Sequence, residues 1–162
     1  MKVSFETINP EAKVWIYQAD RMLTQEEVNA ILEEADVFIS NWAAHGKPLQ
    51  SAVKIYYHRF LVLAVDEAYN LTSGCSIDAS VHFIKELESR FQIDFFNRQK
   101  IAFLVNGRAE TEDLNALKER IKLGVIKPDS MVFNNLVDKK TLLESQWLMP
   151  AGSSWMARFF QS

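Results

Sequence analysis

Apolar residues recur along this chain in two rhythms, and the switches between them mark its elements. Lys13-Val-Trp-Ile-Tyr-Gln18 is rich in β-branched and aromatic residues and predicts a strand. Thr24 and Glu27 then have the spacing of a capping box, which satisfies the unpaired amides of a new helix. Val28, Ile31, Leu32, Ala35, Phe38, Ile39 and Trp42 follow at spacings of three and four, giving one apolar stripe. Gly46 and Pro48 end that helix within Ala43-Ala-His-Gly-Lys-Pro48.

Ala52 to Tyr57 and Phe60 to Val65 read as two more strands. About two residues, His58 and Arg59, separate them, so a tight antiparallel hairpin is expected. The loop from Asp66 to Cys75 is long, and long ordered loops lean towards function. Ile77, Val81, Ile84, Leu87 and Phe91 form the stripe of a second helix. Lys100 to Val105 is a fourth strand, ending at the turn signal Asn106-Gly107.

A third helix is expected from about Thr111 to Leu123, with Leu114, Leu117 and Ile121 inward. Its acidic start and basic end complement the helix dipole, and Gly124 suits the position past its end. Met131 to Val137 reads as extended, and Lys139 to Trp147 as a short helix. In the tail, Trp155, Met156, Phe159 and Phe160 fall on one side of a helix, an apolar stripe that suits a homodimer contact.

Strand, helix, strand, strand, helix, strand is the order of an α+β, ferredoxin-like βαββαβ sandwich. Right-handed crossovers place the third strand between the second and first, with the fourth flanking the first. The 162 residues suit a single domain, with a core over about 12–107 and a C-terminal extension over about 108–162. Tracing the strand directions puts the His45 loop, Asp66-Glu67, the Cys75 turn and Asn106-Gly107-Arg108 at one edge. Arg21, His58, Arg59 and Arg98 fall at the other.

Composition narrows the function more than it names it. A net charge of −3 with no dense Lys/Arg block gives no field for nucleic acid. The longest apolar run, Phe60 to Val65, is too short to cross a bilayer, and Met1 to Ile8 lacks the apolar core of a signal peptide. A single cysteine precludes an internal disulfide and fits a reducing, cytoplasmic setting.

The candidate chemistry sits in Ser73-Gly-Cys-Ser-Ile-Asp78, a polar turn running into the second helix. Gly74 permits a left-handed or closely approached backbone, and Ser76 or Cys75 suits a cap. Open amides and the positive end of a helix dipole make such a turn an anion site, expected to use Ser73, Gly74, Ser76 and Asp78, with Lys47 facing. A thiol there is biased towards thiolate. With His45 as base and Asp66 or Asp78 orienting it, Cys75 would have the partners of a nucleophile. The plainer account is an unreactive cysteine beside an ordinary helix cap.

Other chemistries find no support. His82 and Glu86 lie four apart on the second helix, but two ligands make no metal site. All five glycines stand alone, so there is no phosphate-binding G-x-x-x-x-G-K-[ST], no G-x-G-x-x-G and no G-x-S-x-G. No cofactor is expected.

Six segments occur together and in order. They are Trp15-Ile-Tyr-Gln18 with Arg21, Trp42-Ala-Ala-His-Gly46, Phe60 to Glu67, Ser73 to Asp78, Val132-Phe-Asn-Asn-Leu-Val137 and Ser153-Ser-Trp155. In this the chain resembles a widespread family of small uncharacterised bacterial proteins, some labelled "ABC transporter ATPase". Met156 stands where that family often has a histidine. The resemblance implies a bacterial protein with a shared polar site at the His45 loop and the Cys75 turn. The ATPase label lacks a Walker A lysine here and implies association with an ATPase only by name. Three readings stay open: a small-molecule or anion site at the Ser73–Asp78 turn and His45 loop that could use the thiol, a non-enzymatic interaction module (dimer or adaptor), and an ATPase-associated protein by label only.

Overall fold

In the computed structural model, which describes residues 1–161, the first part of the chain forms seven elements. They are β1 (Lys13–Gln18), α1 (Gln25–Ser40), β2 (Ala43–Ala44), β3 (Lys47–Pro48), β4 (Ser51–Tyr56), β5 (Phe60–Val65) and α2 (Gly74–Phe91). The expected capping box opens α1: the Glu27 amide donates to Thr24 Oγ1 at 3.1 Å, and the Thr24 amide to Glu27 Oε1 at 3.0 Å.

β5 lies between β1 and β4 and is antiparallel to both. All six of its residues are fully buried, as a central strand covered on both faces requires. Leu61, Leu63 and Val65 share one cluster with Ile31, Ala35 and Ile39 of α1 and with Ile84 and Leu87 of α2. Each large aliphatic side chain removed from water there contributes about 1.5–3 kcal/mol. The α1 stripe read from the sequence is thus the face that meets the sheet, whereas the buried face of α2 is Ser76, Ser80, Phe83, Ile84 and Leu87, which leaves Ile77 and Val81 of the expected stripe half-buried beside it.

The rest of the chain adds β6 (Lys100–Val105), β7 (Arg108–Asp113), α3 (Leu117–Lys122), β8 (Met131–Phe133), α4 (Lys140–Gln146) and β9 (Leu148–Pro150). The chain divides into two compact units. The first comprises Met1–Phe96 and Asp138–Thr141; the second holds Asn97–Val137 and the chain from Leu142. The second unit has its own sheet, in the order β7-β6-β8-β9. Among the described residues, no helix is long and apolar enough to cross a membrane.

The α+β class holds, but the ferredoxin-like arrangement is not formed. Lys100–Val105 does not flank β1; it pairs with β7 and β8. Closing a hairpin through Asn106-Gly107, at φ 52° and 79°, costs far less chain entropy than reaching a distant edge. The start of the expected edge is also taken. Val14 donates to the Asp138 carbonyl at 2.9 Å, and Lys140 to that of Ala12 at 2.9 Å. Lys140 is 5% exposed, and its ammonium donates to the carbonyls of Glu6 and Ile8.

Local boundaries differ too. Arg108–Asp113 is a strand, so Glu112 and Asp113 do not begin a helix. A 3₁₀ turn at Leu114–Ala116 leads into α3, which is only six residues long. The connection from β4 to β5 has three residues, with Tyr57 and His58 at φ 55° and 53°.

The aromatic tail is a 3₁₀ helix over Trp155–Phe160, and its side chains do not form one exposed stripe. Met156 is fully buried in a cluster with Phe103, Leu117 and Ile126, against which Phe159 and Phe160 pack. Trp155 remains 46% exposed, edge-on to Phe159.

Candidate functional site

The loops at one end of the first unit's sheet are fastened to one another by side chains from the motifs singled out in the sequence. Trp42, at the end of α1, donates its indole N–H to the Ser76 carbonyl at 2.8 Å, fixing the hairpin base against the first turn of α2. The Asn70 side-chain amide lies 3.1 Å from the Lys47 carbonyl and 3.4 Å from those of Ala44 and Pro48. Asn70 is thereby a clamp on the β2–β3 hairpin. His45 and Gly46 form its two-residue turn, at φ 53° and 74°, the left-handed geometry that matches strand twist.

The loop between β5 and α2 has its own internal latch. Glu67 accepts from the Thr72 amide at 2.9 Å and from the Thr72 hydroxyl at 2.7 Å. Burial alone would raise the Glu67 carboxyl, but these two donors and the nearby Lys13 charge outweigh it, leaving its pKa below the ordinary value. Asp66 Oδ1 accepts from Asn9 at 3.3 Å and from the Ala68 amide at 3.0 Å. That carboxylate organises its own loop and makes no hydrogen bond to His45.

α2 begins with a second capping box, which its sequence disguises because serine takes the place of glutamate. The Ser76 amide donates to Ser73 Oγ at 3.1 Å, and the Ser73 amide to Ser76 Oγ at 2.7 Å. The Ser76 hydroxyl also donates to the Ser73 carbonyl at 2.8 Å. Ser76 is buried, whereas Gly74, Cys75 and Asp78 are exposed. The box leaves the amides of Gly74 and Cys75 without an acceptor among the described residues. Gly74 has neither a left-handed backbone nor any atom within 4 Å of an added Cβ, so the conformational reason expected for glycine is absent.

Cys75, His45 and Lys47 are all exposed, on the turn and the hairpin that Trp42 and Asn70 join. No side-chain hydrogen bond links any two of Cys75, His45 and Asp66 among the described residues. At the opposite end, His58 faces the Leu23 carbonyl, Arg59 donates to that of Ala19, and Arg21 makes a double contact with Glu27 and reaches Phe91. Arg98 and the Asn106-Gly107-Arg108 turn belong to the second unit, so the edge assignment made for them on a single sheet does not apply. No group of three or more His, Cys, Asp or Glu stands ready to hold a metal ion among the described residues.

Two of these contacts had readable signals, Trp42 before a helix break and Asn70 in a long loop. The Glu67–Thr72 latch had none. Comparison with family models, curated proteins and solved structures finds no match.

Proposed function

We propose that this is a small cytoplasmic binding protein that takes an anionic group at the start of α2. The observation that carries the reading is the pair of open amides at Gly74 and Cys75, on an exposed turn closed by the Ser73–Ser76 capping box. A helix N-terminus favours negative charge there, and the two amides point at whatever lies beyond the first turn. Lys47 and His45 stand on the hairpin that Asn70 clamps to the same loop, and supply positive charge and a hydrogen-bonding ring. Asp66 is committed to Asn9 and Ala68, so the reading is one of binding rather than of a nucleophile–base–carboxylate triad. The bacterial family suggested by the sequence motifs fits this reading, but the ATPase label carried by some of its members adds nothing to it.

Cys75 is the only cysteine, which makes it a reporter of the turn. Its rate of reaction with iodoacetamide is measured in chloride and in phosphate, sulfate or acetate at matched ionic strength. The reading expects saturable protection by at least one of these anions, reduced in Lys47→Ala and His45→Ala. Labelling that none of the three anions slows beyond chloride would remove it.

A second reading, a protein-interaction module, is favoured by the exposed Trp155 ring. Met156 is closed to such an interface, since it is buried in its own unit. Sedimentation of wild type against Trp155→Ala tests whether that ring joins two copies.

A further inference from the structure

We propose that the second unit carries a site for a small organic phosphate, held by Lys118 of α3 and Arg158 of the C-terminal 3₁₀ helix. The two side chains line one open cavity of about 590 Å³ together with Phe159 and Gln161. All four residues belong to the second unit, whereas the Gly74–Cys75 turn belongs to the first. The site therefore stands or falls apart from the anion reading made for that turn.

Phe159 brings the two cations together. The Lys118 ammonium lies 5.7 Å and the Arg158 guanidinium 5.0 Å from the centre of its ring. The ring is itself fixed, packed on the cluster that holds Leu117, Ile126 and Met156. Its negative face attracts both cations, but a ring has no net charge and neutralises neither. Neither charged group makes an ion pair or a hydrogen bond within the described residues. Glu112 is committed to Arg120 at 3.1 Å, and no acidic residue occurs from Ser145 to Gln161. Two like charges held at one ring without a counter-ion repel, and an anion bound to both removes that cost. Long side chains already held in place also lose less freedom on binding.

Charge and size set the class of the ligand. A phosphate monoester carries about two negative charges at neutral pH, which matches one lysine and one arginine, and a guanidinium takes its oxygens in pairs. A single carboxylate would leave one cation unmatched. Sites for small organic molecules run to roughly 300–1,000 Å³, so the cavity has room for more than a bare phosphate. The half-buried Phe159 ring and the Gln161 amide offer the organic part an apolar wall and a hydrogen-bonding partner.

Phenyl phosphate and glycerol phosphate are titrated into the full-length ¹⁵N-labelled protein at fixed ionic strength. Phenol, glycerol and inorganic phosphate serve as controls. The proposal expects at least one ester to give saturable shifts at Lys118, Arg158, Phe159 and Gln161. That ester should bind about tenfold more tightly than inorganic phosphate and than its own phosphate-free counterpart. Lys118→Gln and Arg158→Gln should each weaken it about tenfold, with an otherwise unchanged spectrum that certifies the fold. Failure of both esters to bind, equal binding of ester and counterpart, inorganic phosphate binding as tightly as the ester, or unchanged affinity in both variants would each overturn it. Shifts confined to residues 73–78 would overturn this site and leave the one at the start of α2 standing.

Discussion

The indole N–H of Trp42 donates to the main-chain carbonyl of Ser76 at 2.8 Å, with both residues almost fully buried. One side chain thus joins the end of α1 to the start of α2, thirty-four positions later. Trp42 also lies edge-on to Trp15 and tilted against Phe38, so its ring is held on several sides.

Trp42→Phe keeps most of the packing and deletes the donor. It should destabilise the fold by about 1–3 kcal/mol, combining a lost buried hydrogen bond with a small cavity. Urea unfolding measures the sum. Faster hydrogen exchange in the first turn of α2, greater than at its far end, would assign the loss to the tether.

Asn70 offers its amide to three carbonyls, which makes its two simplest replacements unequal. Asn70→Ala removes the clamp and should cost about 1 kcal/mol. Asn70→Asp turns a donor into a carboxylate facing carbonyl oxygens and should cost more. The readout is exchange at residues 43–48 together with the urea midpoint; equal effects of the two variants would dismiss the clamp.

Glu27 supplies a pH dependence with a definite sign. Hydrogen bonds from Arg21, then from the Thr24 amide, push its carboxyl down to about 2. Its folded pKa is depressed, so the stabilisation is present above the ordinary glutamate range and fades as pH falls towards 2. Arg21 is 40% exposed, and solvent screening reduces the effect to about 1–2 kcal/mol. Glu27→Gln should flatten that part of the stability–pH curve relative to wild type.

Two glycines at the candidate site should respond in opposite ways. Gly46 has φ 74°, so Gly46→Ala should cost about 1 kcal/mol through backbone strain alone, since nothing crowds the new methyl. Gly74 is helical and equally uncrowded, so Gly74→Ala should be neutral or slightly stabilising. A stable Gly74→Ala that loses anion protection of Cys75 would show that the glycine serves a ligand rather than the fold.

Gly152 is the crowded one. A Cβ there would sit 3.0 Å from Pro128 Cβ and 3.1 Å from its carbonyl oxygen, while the Gly152 amide donates to that same oxygen. Gly152→Ala must push two main-chain segments apart and should cost about 1–3 kcal/mol. Thermal unfolding of the variant checks it.

The strongest periodicities carried the first unit into view. The α1 stripe, the Thr24–Glu27 cap and the position of β5 between β1 and β4 follow from local rules plus crossover handedness; the α2 stripe was legible only at Ile84 and Leu87, because the buried Ser76 and Ser80 carry no apolar signal. The partner of β6 did not, because strand order alone cannot say whether an Asn-Gly turn will claim the next segment. That next segment, Arg-Ala-Glu-Thr-Glu-Asp, places only Ala109 fully inside, so it lacks the apolar signature of a strand. At the candidate site the polar turn was visible as such. The Ser73–Ser76 cap and the Glu67–Thr72 latch emerge only once the backbone brings those short side chains within bonding distance.

The first unit is not continuous in sequence: residues 138–141 return to β1 after an excursion through residues 97–137. During synthesis, the edge of β1 at Val14 therefore waits for Asp138 to leave the ribosome. The β6–β7 hairpin, closed by neighbours, can form first. A protease cut within 97–137 would likewise fail to release the first unit intact, because its last bonds belong to the far fragment.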